Sequence, residues 1–290
     1  MKKIIILIPV YNDWISLEKL LIDINDNIES IQNISVDCMI INDASNINQP
    51  KIKKPKTFNN LKVFNMNENK GHARCNAFGI RYILENENFD HVILMDGDGE
   101  DRPVELQSLI KMILKYPGES VVAKRIKRSE GPFFQLLYNL HKIITKIFTG
   151  ENINFGNYSC LTKNDIRLLS SKESLWSSFS GTVKKNLKNY REINSVRGSR
   201  YFGPSKMSLI KLLIHSFSII AVFKYKVLLR SIFFILVLLI LAKYFGLFII
   251  IIQILIIAFN LTIFVVSLRE NRKDFLNCQS NLKNIEIITN

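Results

Sequence analysis

Short apolar runs alternate with helical patterns over the first two hundred residues, and this alternation restricts the fold more than any other feature. Residues 3–10, KIIILIPV, and residues 92–95, VILM, are apolar at consecutive positions rather than at every second one. A strand that is apolar on both faces has to be covered on both faces, which is typical of a parallel sheet between layers of helices. The sequence therefore predicts an α/β domain over residues 1–205, with a mostly parallel sheet and helices on both faces.

The same alternation places the individual elements. Strand-like runs and helical patterns take turns along the chain, and a proline at position 103 is suited to a helix start. The predicted strands are 3–10, 36–43, 61–66, 91–96 and 119–124, and the predicted helices are 16–28, 71–86 and 103–116.

Polar residues follow three of the predicted strands at the point where each strand ends. Because the carboxyl ends of parallel strands meet at one edge, where open α/β sheets bind ligands, we expect one site there. Each polar group alone is also compatible with a solvated loop. No G-x-G-x-x-G follows the first strand and no Walker A sequence is present, which disfavours a dinucleotide-binding domain and a P-loop. The residues concerned are Tyr11, Asn12 and Asp13, then Asn42 and Asp43, and finally Asp96 and Asp98.

The stretch DGDGED at 96–101 concentrates negative charge directly after a buried run, in a chain whose formal net charge is +14. Asp96, Asp98 and Glu100 alternate, as oxygen ligands can when an extended backbone wraps one hard cation. Mg²⁺ and Mn²⁺ prefer such ligands and keep places for substrate phosphates. Surface turns also contain Asp-x-Asp, but the apolar run before this one favours a metal site.

Residues 227–268 are almost entirely apolar and fall into two runs separated by a short turn around Lys243 and Gly246. The second run is long enough to cross a hydrocarbon core of about 30 Å as a helix. We therefore predict a two-helix transmembrane hairpin; a pair of buried core helices is the alternative. Lysines and arginines cluster on both flanks of the hairpin, so the positive-inside rule places the large domain and the tail 269–290 in the cytoplasm. Residues 206–226 are predicted to form an amphipathic juxtamembrane helix.

The excess of positive charge is compatible with nucleic acid, anionic lipid or phosphorylated substrates. Beside a membrane hairpin, lipid headgroups are the simplest partner, and no nucleic-acid motif is present. The four cysteines are scattered without metal-ligand spacing, which fits a reducing compartment. The histidines (His72, His91, His141 and His215) show no pairing, so they are interpreted as structural or exposed.

Residues 133–150, FFQLLYNLHKIITKIFTG, follow the basic segment AKRIKR and form a helical pattern. Phe134, Leu137, Leu140, Ile144 and Ile147 lie near one face of such a helix. This pattern fits a helix lying on the bilayer surface, and it fits a core-packed helix equally well.

Four motifs in order, IPVYND, INDASN, NKGHARCNAFG and MDGDGEDRP, resemble family 2 of the glycosyltransferases, which have the GT-A fold. The resemblance implies that one group of residues binds a nucleotide-diphosphate sugar and that the acids hold Mg²⁺ or Mn²⁺ on its diphosphate. Asn42 stands where the family more often has an aspartate, which leaves the base preference open. The implied donor-binding residues are Pro9, Tyr11, Asn12, Asp13, Asn42, Asp43, Lys70, Gly71 and Asp96, and the implied metal ligands are Asp96, Asp98 and Glu100.

The segment Arg200-Tyr-Phe-Gly-Pro-Ser-Lys206 resembles the R-x-x-G-x-S-K sequence of polyprenyl-phosphate and dolichyl-phosphate sugar transferases. The resemblance implies that Arg200, Ser205 and Lys206 bind the phosphate of a lipid acceptor, for which fixed cations and a hydroxyl are suitable groups. A basic segment that only contacts lipid headgroups is the alternative. Arg125 and Arg128 suit either the diphosphate or the acceptor phosphate, and with Asp96 and Asp98 they are the predicted catalytic residues.

One departure concerns the acceptor. Related enzymes often carry an acidic sequence resembling D-x-G-D after the helix that corresponds to residues 133–150. This chain has Asn154-Phe-Gly-Asn157 there. An amide cannot take a proton from an alcohol, whereas a phosphate monoester, with a second pKa near 6, needs no such base. We therefore expect an inverting transfer of a sugar to a polyprenyl phosphate on the cytoplasmic membrane. Extension of a lipid-linked glycan at a hydroxyl and an inactive membrane scaffold remain alternatives, and a homo-oligomer stays open.

Overall fold

A computed structural model describes residues 1–127, 132–204 and 208–289. In this part of the chain eight strands form a single sheet with the order β7-β5-β6-β4-β1-β2-β3-β8. The strands are β1 (Lys2–Val10), β2 (Ile34–Asn42), β3 (Phe58–Met66), β4 (His91–Leu94), β5 (Val121–Lys127), β6 (Phe155–Thr162), β7 (Arg191–Val196) and β8 (Leu282–Ile287).

The sheet is mixed but mostly parallel, as predicted. Its centre, β4-β1-β2-β3, is parallel throughout, and β5 and β7 are also parallel to each other. Strand β6 is antiparallel to both β4 and β5, and β8 is antiparallel to β3. The parallel centre gathers the carboxyl ends of β1, β2 and β4 at one edge.

Helices cover both faces of this sheet. The central strand β1 contributes Ile4, Ile6 and Ile8 to one buried cluster and Ile5 and Leu7 to the other, because successive side chains of a strand point to opposite faces. The helices are α1 (Trp14–Ile28), α2 (His72–Asn86), α3 (Leu106–Lys115), α4 (Pro132–Thr149), α5 (Lys163–Leu169), α6 (Phe179–Asn186), α7 (Leu209–Ala221), α8 (Lys224–Phe245), α9 (Leu247–Ser267) and α10 (Arg272–Leu276).

Helices α8 and α9 pack against each other as an antiparallel pair around the connection at Gly246. Asn260 Nδ2 donates to Ser231 Oγ at 2.7 Å, and Gln253 Nε2 donates to the Ile235 carbonyl at 3.4 Å. Among the described residues, one helix is long and apolar enough to cross a membrane: the helical run Leu247–Leu276, with a mean hydropathy of 2.9. A single such helix is weak support for membrane anchoring, and the predicted two spans stay a prediction.

Residues 269–289, which belong to the predicted tail, return to the α/β domain. Helix α10 places the Phe275 ring in the core, 1% exposed, against the Trp176 ring and the Arg81 guanidinium. Strand β8 then adds to the free edge of β3, from Lys62 opposite Ile287 to Met66 opposite Leu282. Both ends of the α8–α9 pair are therefore joined to the same domain.

Candidate active site

The loops after β1 and β2 are held together by Asn12 and Ser45. Asn12 has a positive φ of 53°, which asparagine tolerates better than most residues. Its backbone N–H donates to Ser45 Oγ at 2.9 Å. Its side-chain oxygen accepts from the backbone N–H groups of Asn46 and Ile47, at 2.9 and 3.2 Å. Asn12 therefore organises backbone at the carboxyl edge, and its neighbour Tyr11 is partly exposed there.

Asp43 holds the loop that precedes α2. Its two carboxylate oxygens accept from the backbone N–H groups of Lys70 and Gly71, each at 2.9 Å. Gly71 has a φ of +91°, a conformation that favours glycine. Burial raises the pKa of Asp43, although these two hydrogen bonds oppose the shift. The predicted residues Asp43, Lys70 and Gly71 thus form one structural unit.

Asp96 lies at the end of β4 with two polar partners from other elements. His72 Nε2, at the start of α2, is 2.8 Å from Asp96 Oδ1, and Asn157 Nδ2, on β6, is 3.1 Å from the same oxygen. Burial would raise the pKa of Asp96, but the neighbouring His72 outweighs it and holds that pKa below its usual range. His72, which the sequence interpretation took as structural or exposed, belongs to this cluster.

Asp98 faces a different partner. Arg200 Nη1 lies 2.6 Å from Asp98 Oδ2, and the other terminal nitrogen of Arg200 contacts Asp13. Burial, followed by the negative charges of Asp96 and Glu100, raises the pKa of Asp98 to about 6. The predicted acceptor residue Arg200 therefore bridges two carboxylates of the predicted donor and metal site.

The segment around Arg200 lies directly on the acidic loop. The backbone N–H groups of Gly198 and Tyr201 donate to the carbonyls of Glu100 and Asp98, at 2.8 and 3.0 Å. Gly99, with a φ of +86°, has no room for a Cβ because the Tyr201 ring is 2.4 Å from that position. The two segments, about one hundred residues apart in sequence, are one packed unit.

Two further groups complete the acidic loop. Glu100 is paired with Arg197. Asp101 closes the DGDGED run but was not among the predicted site residues. Its carboxylate accepts from the Asp96 backbone N–H at 3.0 Å and lies 3.8 Å from Arg125. Burial and the charge of Asp96 raise the pKa of Asp101 to about 7.

The acidic cluster contains oxygen ligands that suit a cation, but these oxygens do not converge on one point as they would around a bound metal ion. Among the described residues, no group of three or more His, Cys, Asp or Glu side chains is arranged to hold a metal ion. The carboxylates nevertheless hold a cation, because the Arg200 guanidinium sits between Asp13 and Asp98. Hard carboxylate oxygens suit Mg²⁺ or Mn²⁺. Each of the three predicted ligands has a partner of its own in this structure, His72 for Asp96, Arg200 for Asp98 and Arg197 for Glu100.

The remaining predicted residues divide into two groups. Pro9 is the last residue but one of β1 and lies beside the acidic loop, with its carbonyl oxygen 3.1 Å from the position of a Cβ on Gly97. Arg125 packs against Gly156 of β6. Arg128, Ser205 and Lys206 lie outside the described residues, so their predicted roles stay predictions.

Solved structures with low sequence identity share this fold. Mannosyl-3-phosphoglycerate synthase from Rubrobacter xylanophilus is similar with a TM-score of 0.55, at 14% identity over 76% of this chain and 72% of that one. Glucosyl-3-phosphoglycerate synthase from Mycobacterium tuberculosis, in complex with Mn²⁺, UDP-glucose and phosphoglyceric acid, is similar with a TM-score of 0.51, at 15% identity over 78% and 80%.

Sequence comparison gives one partial relative and a family. An uncharacterised protein of Methanocaldococcus jannaschii is 26% identical over 114 residues, which are 38% of this chain and 46% of that protein. The chain thus spans less than half of that relative's length. Residues 5–179, more than half of the chain, match the model of glycosyl transferase family 2. With the carboxylate-rich sheet edge and the GT-A fold, this match shows that the chain belongs to glycosyltransferase family 2.

Proposed function

We propose that this protein is a membrane-anchored inverting glycosyltransferase that transfers one sugar from a nucleotide-diphosphate sugar to a polyprenyl phosphate at the cytoplasmic face. The observation that carries the acceptor assignment is the apolar surface beside the site. Helices α4 and α7 both expose large apolar side chains to the surroundings while packing against the α8–α9 pair. These side chains are Leu136, Leu140, Ile143 and Ile147 on α4, and Leu209, Ile210 and Leu213 on α7.

The two helices are amphipathic rather than uniformly apolar. On α4, Thr145 and Thr149 are buried and Phe148 packs on Phe234 and Phe259, while the opposite side is exposed. One side of the helix is therefore packed in the protein, and the other side is exposed. A helix with one buried and one exposed apolar side, next to a spanning segment, is suited to the bilayer surface.

Helix α7 also lies close to the acidic cluster. Burial, together with the charges of His72 and Arg125, lowers the pKa of His215 to about 4. Such an effect requires His215 to be near the groups that surround Asp96. An acceptor whose tail rests along α4 and α7 would therefore present its phosphate to the site.

The donor would occupy the carboxyl edge of the sheet. The loops organised by Asn12 and Asp43 would bind the nucleotide, and Asp96 with Asp98 would hold Mg²⁺ or Mn²⁺. The ion would contribute positive charge that stabilises the leaving nucleotide diphosphate. The relative that was solved with Mn²⁺ and UDP-glucose supports this assignment.

The residues around Asp96 favour a nucleophile that arrives already ionised. Asn157 presents an amide to the site, and the His72 nitrogen that faces the site is engaged by Asp96. A phosphate monoester is mostly dianionic at pH 7 and needs no base. Its oxygen would attack the anomeric carbon in line with the departing diphosphate oxygen, so that one carbon–oxygen bond forms as the other breaks and the configuration inverts.

The acceptor phosphate would be bound by the cations at the membrane side of the site. Arg200, which is paired with Asp13 and Asp98, is the described candidate, and Arg125 lies 3.8 Å from the neighbouring carboxylate of Asp101. Arg128, Ser205 and Lys206 are proposed to complete this binding site on the resemblance of their segments. Binding of the acceptor requires Arg200 to exchange its carboxylate partners for the phosphate.

The test uses the full-length protein in lipid nanodiscs with undecaprenyl phosphate, Mn²⁺ or Mg²⁺ and a panel of sugar nucleotides. We expect one donor to yield a lipid-phosphate sugar of inverted configuration, detected by mass spectrometry and NMR. Asp98→Asn should abolish the product, and Glu29→Gln, an exposed change at the end of α1, should not affect it. Extension of a lipid-linked glycan with no lipid-phosphate product would contradict the proposed acceptor.

A further inference from the structure

We propose that the C-terminal strand β8 is part of the donor pocket, where Glu286, acting through Asn65, sets the hydrogen-bond polarity of Asn42. This inference rests on the proposed function, because it concerns the pocket assigned to the nucleotide. It makes Glu286 a positioning residue that lies after the apolar helices in sequence and at the far edge of the sheet.

A continuous chain of hydrogen bonds joins β8 to the pocket across two strands. Asn65 Nδ2 donates to Glu286 Oε1 at 2.8 Å, and Asn42 Nδ2 donates to Asn65 Oδ1 at 2.7 Å. Asn42 Oδ1 then accepts from the backbone N–H of Ser45 at 3.0 Å. Ser45 Oγ in turn accepts from the Asn12 N–H, so the chain ends in the loop after β1.

The carboxylate at one end sets the direction of the two bonds made by the Asn65 side chain, whereas the backbone N–H groups of Ser45 and Asn12 can only donate. Glu286 only accepts, so Asn65 has to present its NH₂ group to Glu286 and its carbonyl oxygen to Asn42. A carbonyl oxygen demands a donor, and the amide of Asn42 supplies one. Asn42 is 9% exposed, so an unmatched pair of oxygens there would be poorly solvated.

This polarity explains why the chain has an amide at position 42, where the family more often has an aspartate. A carboxylate at 42 would face the Asn65 oxygen. If Asn65 turned its NH₂ group toward that carboxylate, its oxygen would face Glu286 instead. With an aspartate at 42 and a glutamate at 286, one of the two hydrogen bonds of the Asn65 side chain is therefore lost, whichever way Asn65 points.

The same C-terminal segment holds the donor pocket at a second point. Asn281, just before β8, accepts from the Asn67 and Glu68 backbone N–H groups at 2.7 and 3.0 Å, through its carbonyl and its side-chain oxygen. Its Nδ2 also donates to the Glu68 carbonyl at 2.9 Å. The loop so held continues into Lys70 and Gly71, which Asp43 binds.

The test is a reversal of the chain of hydrogen bonds. Asn42→Asp alone creates the conflict, whereas Asn42→Asp combined with Glu286→Gln removes it, because a glutamine can donate to Asn65 while Asn65 donates to the aspartate. We expect Asn42→Asp to weaken binding of UDP or GDP, measured by calorimetry with Mn²⁺, by about fivefold or more, and to lower the melting temperature. The double variant should recover most of both losses.

Lys283→Ala, an exposed change on the same strand at a position that is not paired with Asn65, is the matched control and should alter neither quantity. If the double variant binds no better and melts no higher than Asn42→Asp, the inference is wrong. If the wild type binds neither nucleotide, the proposed function is contradicted. Recovery of the melting temperature in the double variant then still decides whether Glu286 sets the hydrogen-bond polarity of Asn42.

Discussion

At the scale of single residues, the site is a set of carboxylates that share a small number of cations. Arg200 joins Asp13 to Asp98, Arg197 joins Glu100, and His72 joins Asp96. A buried carboxylate without such a partner would be costly, so the arginines stabilise the acidic loop in the ligand-free protein. The same arginines occupy positions that a metal or a phosphate would need.

Removal of the Arg200 side chain should therefore have opposite effects on the affinity for the metal and on the affinity for the lipid phosphate. In Arg200→Ala the guanidinium no longer competes for Asp98, so we expect half-saturation at a lower Mn²⁺ concentration. The KM for the lipid phosphate should rise at least about tenfold, because a charge-assisted contact is lost. Steady-state rates against Mn²⁺ and against lipid phosphate check both effects. A higher Mn²⁺ requirement would show instead that Arg200 supports the metal site.

His72 should act through the orientation of Asp96. His72→Ala leaves Asp96 Oδ1 with one fewer donor, and loss of a hydrogen bond to a ligating carboxylate typically costs about 10-fold or more in metal affinity. We expect the Mn²⁺ concentration for half-maximal transfer to rise accordingly. His72→Gln, which retains a donor, should recover part of the loss. Equal behaviour of the two variants would rule out this hydrogen bond as the cause.

At the scale of elements, α2 is placed by a close approach to β1. Gly79 faces Leu7, and a Cβ on Gly79 would lie 2.4 Å from Leu7 Cδ1 and 2.7 Å from Cδ2. Leu7 is fully buried, so it has little space to move. Helix α2 begins at His72 and follows the loop that Asp43 binds. The contact between Gly79 and Leu7 therefore also sets the positions of His72 and of that loop.

Gly79→Ala should consequently lower the free energy of unfolding by about 1–3 kcal/mol, the usual cost of an extra methyl group in a packed core. Gly118→Ala is the matched control, because a Cβ there meets nothing within 4 Å. Its effect should stay within about 1 kcal/mol. Urea unfolding in detergent, followed by tryptophan fluorescence, measures both variants, and equal stability of the two would contradict this account of α2.

At the scale of the whole molecule, the apolar helices leave the domain and return to it. The chain enters α8 after α7 and comes back through α10 and β8, which pairs with β3. A segment with both ends attached to one domain can only cross a bilayer an even number of times. The proposed anchor is therefore a hairpin with the connection at Gly246 on the opposite side of the membrane.

Thiol labelling in membrane vesicles tests this topology. The four native cysteines are buried, and burial raises the pKa of all four thiols, so an impermeant maleimide should not label them. In intact cells we expect labelling of Leu247→Cys but not of Glu29→Cys or Lys283→Cys. In inverted vesicles the pattern should reverse. Labelling of all three positions from one side would mean that the helices do not span the membrane.

Much of the fold and the main acidic site followed from the amino-acid sequence alone, because both depend on local patterns. Consecutive apolar residues in KIIILIPV and VILM require burial on two faces, and the DGDGED run after a buried strand requires a cation. Polar residues at strand ends meet in a parallel sheet whatever the loops between them do. The sequence thus determined the sheet, its helical layers and the edge where Asp43, Asp96 and Asp98 gather.

The tertiary structure decided the partners, which come from residues far apart in the chain. The sequence around His72 and around Asn157 does not predict that both contact Asp96. Arg200 reaches Asp98 only because its segment folds onto the acidic loop. Strand β8 has an ordinary alternating pattern, and only its pairing with β3 brings Glu286 to Asn65 and so explains the amide at position 42. Hydrogen-bond polarity is a property of neighbours in space, which spacing along the chain does not encode.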